Sequence, residues 1–193
     1  MVKRIFLLLG HPDTRSFCGA LADMYEAGAR SAGMEVRRLN LGELAFDPIL
    51  RRGFKGDQAL EPDLVRAQEA IAWCTHWVLV YPTWWGSFPA LLKGFFDRVL
   101  LPGFAFNYRP NSSRWDRFLG GRSGRLFITS DAPAIWTSLV YRGAPAQVVK
   151  KAVLDFCGVR PVKTTWFHGL RRSSDRRRAA WLKETRRLGE AGA

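Results

Sequence analysis

From Trp77 to Tyr81 the chain runs Trp-Val-Leu-Val-Tyr, five apolar residues in a row and four of them aromatic or β-branched. Such a run reads as a strand covered on both faces, the signature of a parallel sheet. Pro82 has no N–H to give a neighbouring strand and ends it. Pro89 suits a first helical turn, and Leu92, Phe95, Phe96 and Val99 then recur at helical spacing. Strand, tight loop and helix in that order leave few folds open. They put the loop of residues 83–88 at the carboxyl end of a central strand, where open α/β sheets bind ligands. That loop holds Trp84, Trp85 and Gly86. Two planar side chains suit a planar ligand, and the glycine lets backbone approach closely. The same residues would serve equally to cap the core beneath a loop.

The rest of the chain repeats this grammar. Residues 3–9 read as a first strand and residues 10–16 as a polar turn. A helix follows, capped by Ser16 or Asp13, with Phe17, Leu21, Met24 and Ala27/Gly28 on one face, and Gly33 ends it. Residues 35–41 form a second strand and residues 42–61 a polar loop. Pro62 opens a helix facing inward through Leu64, Ala67, Ile71 and Cys74. Pro102 breaks the helix after the third strand. Residues 103–121 are then a long connection carrying Phe104, Phe106, Tyr108, Trp115 and Phe118, and a loop of that length is usually functional or meets a partner. Residues 125–129 are a fourth strand and residues 130–143 a loop. A helix after Pro145 presents Val148, Val149, Ala152, Val153 and Phe156 and stops at Gly158. Residues 162–167 are a fifth strand, and Ser173 or Ser174 caps a last helix with Trp181 and Leu188 on one side. Five strands alternating with five helices predict one domain over residues 1–193. The fold class is α/β, a doubly wound five-stranded parallel sheet in the flavodoxin-like order 2-1-3-4-5 with helices on both faces.

Composition narrows the function. The sequence is 47% hydrophobic, yet no apolar run approaches a membrane span, and residues 5–9 are too short for a signal-peptide core. A cytoplasmic protein without stable membrane insertion is expected. Cys18, Cys74 and Cys157 form no CxxC pair, and His11, His76 and His168 show no metal-ligand spacing, so no metal is expected. The formal net charge is +13. Eight of the thirty Lys and Arg residues fall between Arg171 and Arg187, which reads as a solvated helix face. Without a recognition motif, that charge does not argue for nucleic acid.

In the expected strand order the chain reverses between strands one and three. The crevice there is walled by residues 10–16, 83–88 and 130–143. The first of these loops lies at a helix N-terminus, where free N–H groups attract a phosphate and the hydroxyls of Thr14 and Ser16 can add donors. The sequence lacks both GxxxxGK with a following Ser or Thr and a GxGxxG after strand one, which excludes a triphosphate P-loop and a Rossmann dinucleotide site. A phosphate cradle beside an aromatic shelf suits a phosphorylated planar cofactor such as a flavin.

Gly10-His11-Pro12 with Ser16-Phe17, the segment from Tyr81-Pro82 through Pro89-Ala-Leu-Leu-Lys-Gly-Phe-Phe-Asp-Arg98, and residues 102–106 together resemble the NAD(P)H:quinone oxidoreductase family of flavodoxin-like flavoproteins. The resemblance covers nearly the whole chain, and its strand-three motif is the long and specific one. It implies that His11, Thr14, Ser16, Phe17 and Cys18 hold the flavin phosphate. It implies that Pro82, Thr83, Trp84, Trp85 and Gly86 lie along the isoalloxazine ring, and that Thr129, Ser130 and Asp131 complete the pocket. It further implies tightly bound FMN or FAD, NAD(P)H as co-substrate, a quinone-like acceptor (or an azo or nitro compound), and a homodimer with the site at its interface. Two departures stand out. Cys18 takes a place where relatives often have Asn. The fourth-strand loop is not Gly-rich and no His follows nearby, which leaves Tyr141 as the candidate proton donor. His11 would also fit a turn cap, Asp131 a surface turn, Cys18 simple packing, and Trp136 either the pocket or the underside of its loop. Rival functions are an electron-carrier flavodoxin, a regulatory flavoprotein subunit of a potassium-efflux system, and a basic nucleic-acid binder. The first of these is disfavoured by the basic charge, because such carriers are typically acidic.

Overall fold

Five parallel strands in the order β2-β1-β3-β6-β7 carry the chain in the computed structural model, which describes residues 2–56 and 58–193. They are β1 (Arg4–Leu9), β2 (Glu35–Asn40), β3 (His76–Pro82), β6 (Ser123–Ser130) and β7 (Val162–His168), with the short strands β4 (Phe106–Tyr108) and β5 (Trp115–Arg117) outside the sheet. This is the flavodoxin-like order expected above, the fourth and fifth sequence strands being β6 and β7. β3 is central and buried along its whole length, pairing with β1 on one side and β6 on the other. Pro82 is its last residue and stands opposite Thr129.

Helices cover both faces. α1 (Phe17–Ser31) and α6 (Asp175–Glu190) pack over Ile5, Leu7, Leu9, Val78, Val80 and Phe127. On the other face, α2 (Pro62–Trp73), α3 (Ala90–Val99) and the helix after β6 enclose Phe6, Leu8, Leu79 and Tyr81. Burying each such side chain contributes about 1.5–3 kcal/mol. α1 and α6 cross in near backbone contact. A Cβ on Gly28 would lie 2.2 Å from the Arg186 carbonyl oxygen, and one on Gly189 2.2 Å from that of Tyr25. Only glycine allows that approach.

Several expectations need correction. The buried stripe of α1 is Cys18, Leu21, Ala22, Tyr25, Gly28 and Ala29, while Phe17 and Met24 are half-buried and Ala27 is exposed. The face is set by tertiary packing against the α6 glycine, not by the largest apolar residues. Ser16 is the N-cap of α1, its hydroxyl accepting the Gly19 N–H at 3.2 Å, and Ser174 plays that part for α6. Pro89 is itself the N-cap of α3, one position before the first turn. Residues 103–121 are not merely a loop, because β4 and β5 pair antiparallel within them. Strand β6 runs on through Ser130, and the loop after it contains a further helix, α4 (Ala134–Leu139). The next helix, α5 (Ala144–Gln147), continues in π winding over Val148–Asp155. With i→i+5 bonding the inward positions fall five apart. Val149 and Leu154 are therefore buried, and Val148 and Ala152 are exposed.

The long loop between β2 and α2 is held by charge. Arg98 of α3 is fully buried, donating to the carbonyls of Asp47 (2.6 Å) and Ala59 (2.7 Å) and pairing with Glu61 at 2.9 Å. Removing Glu61 would leave the buried guanidinium without its counter-charge and cost several kcal/mol, about 3–5.

Candidate functional site

The carboxyl ends of β1, β3 and β6 meet at the reversal of strand order, and a cleft of about 160 Å³ opens there. It is lined by His11, Ser16, Phe17, Cys18, Pro82, Thr83, Trp84, Thr129, Ser130, Asp131 and Leu170.

Its first wall is the turn after β1. The Ser16 hydroxyl caps the helix by accepting the Gly19 N–H, which leaves its own O–H to donate. The first-turn amides of α1, Phe17 and Cys18 among them, have no intrahelical carbonyl within reach and carry the positive end of the helix dipole. Asp13 stiffens the turn by accepting the Arg15 N–H at 2.9 Å. The Asp13 N–H in turn donates to His11 Nδ1 at 2.9 Å. That acceptor role leaves the neutral imidazole with its hydrogen on Nε2, and burial holds the ring pKa below its ordinary range. The His11 ring meets Trp84 edge-on, centroids 5.5 Å apart.

Cys18 forms part of the floor. Its Sγ lies 3.3 Å from Thr129 Oγ1, and burial pushes the thiol pKa up to about 12. Cys18 is thus a neutral packing thiol with one polar contact, not a nucleophile. Thr129 also binds through its backbone, accepting the Thr83 N–H at 2.7 Å. Ser130 Oγ accepts the Ala132 N–H at 3.1 Å, and Asp131 Oδ1 accepts the Arg171 N–H at 2.9 Å, tying the β6 loop to the loop after β7. Thr83 Oγ1 is buried and has no hydrogen-bond partner among the described residues. A buried hydroxyl left so calls for an explanation, and in a cleft wall a ligand is the natural one.

The turn after β3 is a two-residue hairpin turn. Trp84 and Ser87 exchange both backbone hydrogen bonds, at 3.0 and 2.9 Å. Trp85 and Gly86 between them have φ of 51° and 68°. Positive φ at both central positions defines the primed turn that asks for Asn or Gly. Gly86 meets the demand, whereas Trp85 is held in a strained conformation with its indole wholly exposed. A Cβ on Gly86 would lie 3.3 Å from Cε1 of Tyr141, whose ring packs edge-on against Trp136.

Of the residues singled out in the sequence, the cleft gathers His11, Ser16, Phe17, Cys18, Pro82, Thr83, Trp84, Thr129, Ser130 and Asp131. Thr14, Trp85, Gly86 and Tyr141 are not part of its lining. Thr14 places its carbonyl against the first turn of α1, and Gly86 and Tyr141 pack on each other. The sequence reading missed Leu170 and the whole loop after β7. Asp131 also borders a second hollow of about 560 Å³, lined with Pro133, Ala134, His168, Gly169, Arg171, Arg172 and Arg177. His168 stacks on Trp166, and burial together with nearby Arg177 holds its pKa below the ordinary range. In the sequence His168-Gly169 follows the strand expected over residues 162–167, and Arg171-Arg172 comes one residue later, but only the sheet order puts this turn beside β6. Among the described residues no group of acidic, His and Cys side chains could hold a metal, and no helix is long and apolar enough to cross a membrane.

A family model described as flavodoxin-like fold matches residues 3–190. An uncharacterized NAD(P)H oxidoreductase of Haemophilus influenzae is 27% identical over 181 residues, covering 91% of this chain and 89% of its own length. The NAD(P)H dehydrogenase (quinone) 1 of Rattus norvegicus is 28% identical over 182 residues. That match covers 81% of this chain, which spans 65% of the rat protein. Among solved structures, an NAD(P)H:quinone oxidoreductase from Methanothermobacter marburgensis superimposes with a TM-score of 0.84 at 22% identity, covering all of both chains. At that identity the likeness is one of fold.

Proposed function

The chain belongs to the flavodoxin-like fold family, and from that membership we propose a flavin-dependent NAD(P)H oxidoreductase that passes a hydride from NAD(P)H, through bound flavin, to a quinone-like acceptor. One observation carries the reading. The cleft joins a helix N-terminus suited to a phosphate with an aromatic wall of His11 and Trp84 and the unpartnered hydroxyl of Thr83. The names of the Haemophilus and rat relatives support it.

In this reading the α1 amides at Phe17 and Cys18, the Thr14 and Ser16 hydroxyls and His11 Nε2–H hold the phosphate. Pro82 to Gly86 and Thr129 to Asp131 flank the ring system, with Thr83 Oγ1 as a donor to it. Flavin, when bound, supplies the redox chemistry, accepting a hydride and giving it up to the acceptor. The protein binds and orients. Its loop N–H groups would face the ring and favour negative charge there, and Tyr141 beside the Gly86 turn is the proposed proton donor. The second hollow favours FAD over FMN. Arg171, Arg172 and Arg177 line it beside Asp131, which borders both hollows, and would be available to the second phosphate of a cofactor longer than FMN.

The test is direct. Purified protein is expected to show flavin absorbance and quenched tryptophan fluorescence. Heat-released cofactor should run with FAD, and the holoprotein should oxidise NADH or NADPH in the presence of a soluble quinone. Colourless protein that gains no flavin on incubation with FMN or FAD would sink the proposal, and released FMN would overturn the choice of FAD.

A further inference from the structure

At the other end of the sheet, where the strands begin, lies a cluster with no part in the flavin cleft. Ile5, Val78, Phe127 and Phe167 face α1 and α6. By the two-residue period of a strand, so do Lys3, His76, Ser123, Arg125, Lys163 and Thr165. Register brings them together: His76 stands beside Ile5 and Ser123, and Arg125 beside Val78 and Lys163. Neighbouring strands are about 4.8 Å apart and same-face neighbours along a strand about 6.7 Å, so these residues occupy one patch. Tyr25 of α1 closes over it, since the Tyr25 ring and the Arg125 guanidinium both lie 5.6 Å from the Phe127 ring.

The patch is rich in buried donors. Arg125 is 5% exposed, His76 3%, and Tyr25 fully buried. Arg125 Nη1 donates to Thr165 Oγ1 at 2.8 Å, and His76 Nδ1 is 2.7 Å from Ser123 Oγ. Among the described residues Arg125 Nε, His76 Nε2 and Tyr25 Oη have no hydrogen-bond partner. Lys3 Nζ donates to the Gly192 carbonyl, and exposed Lys163 stands at the edge. Among the described residues no carboxylate lies within 4.0 Å of Lys3, Arg125 or Lys163. The acid that faces the patch from α6, Glu184, is engaged by Arg187 at 2.7 Å.

Three cations gathered with three unsatisfied donors, where Glu184 acts on Arg125 only from beyond ion-pair distance and is itself tied to Arg187, make an arrangement that costs stability unless something negative joins it. We propose that this patch binds a small inorganic oxyanion of the phosphate or sulfate class, held by Arg125, His76, Tyr25 and the two lysines beneath the α1–α6 crossing. Burial and the neighbouring cations hold His76 neutral, its pKa pushed down to about 3, so its ring remains a hydrogen-bond donor rather than a fourth charge. The same surroundings lower the pKa of Lys3. An oxyanion relieves both effects and ties β6 and β7 to the helix pair above them.

Thermal unfolding in sodium chloride, sulfate and phosphate at matched ionic strength tests this, with protein first loaded with flavin, which on the function proposed above occupies the α1 N-terminus and leaves this patch to respond. Sulfate or phosphate should raise Tm saturably, by about 3–5 °C at a tenfold excess over Kd, and chloride should not. A response to only one of the two identifies the physiological class and still supports the site. Arg125→Met should abolish the saturable rise. Should that variant fail to fold, Lys163→Met on the exposed edge decides, with half-saturation weakened roughly fivefold, while Arg66→Met on α2 leaves it unchanged. A rise that follows ionic strength alone, or one identical in Lys163→Met and wild type, overturns the proposal.

Discussion

Trp85 and Gly86 are adjacent, share a turn and make opposite demands on it. Gly86 adopts φ of 68° without strain, and its missing Cβ makes room for Tyr141. Gly86→Val puts a β-branched residue into a left-handed conformation 3.3 Å from the tyrosine ring. Strain of this kind costs roughly 1–3 kcal/mol. Flavin affinity is expected to fall by about 5- to 150-fold while β3 and α3 keep their circular dichroism, because their buried faces are untouched. Ordinary flavin affinity in the folded variant would remove this turn from the cofactor site. Trp85 is the reverse case, with an unfavourable φ of 51° and an indole that touches solvent on every side. Trp85→Gly should relieve the turn and stabilise the apoprotein by about 1 kcal/mol, seen as a raised midpoint in urea. If the strain is kept for ligand contact, the same variant should lose turnover with quinone. An unchanged midpoint together with unchanged turnover would mean that Trp85 neither strains the turn nor serves the site.

At the scale of elements, legibility followed the signal each segment carries. β1, β3 and β6 lie in the interior of the sheet, and each carries an apolar run, five residues long over residues 5–9 and 77–81 and three over residues 126–128. Pro82, Ser16 and Pro62 mark boundaries by chemistry that acts locally, and those boundaries stand within a residue. The same runs and loops made ten of the cleft residues readable, because ligand position follows from strand order. What escaped was non-local. The β4–β5 hairpin pairs three residues with three, too few for a period to show. π winding in residues 148–155 follows no helical period of 3.6, so a face drawn at that spacing selects Val148 and Ala152 in place of Leu154. Leu170 reaches the cleft only because β7 ends beside β6, a fact of sheet order and not of the segment's own residues.

For the whole molecule the question is how a chain of net charge +13 associates with itself. The resemblance to dimeric flavoproteins and the aromatic hairpin region both favour a homodimer. Tyr108 and Phe118 are exposed, as is Phe54, and a groove of about 180 Å³ runs between Phe54, Phe96, Phe106, Tyr108, Val153 and Phe156. Such an apolar face is more than a monomer usually leaves open. Lys93 pairs with Asp97 at the groove, Arg109 pairs with Asp116, and Arg117 and Arg160 share Asp155. These pairs offset part of the local charge, while the net charge of +13 makes each copy repel the other. Repulsion between exposed charges is screened over about 10 Å at 0.1 M salt and about 3 Å at 1 M. Apolar burial is not weakened by salt in this way. A homodimer is thus expected by light scattering, at about twice 21.9 kDa, and its dissociation constant should tighten as sodium chloride rises from low to high concentration. Phe118→Asp and Tyr108→Asp should shift the equilibrium to monomer without loss of helix content. A mass near that of one chain at micromolar protein across the whole salt range would show that this face is closed by something other than a second copy.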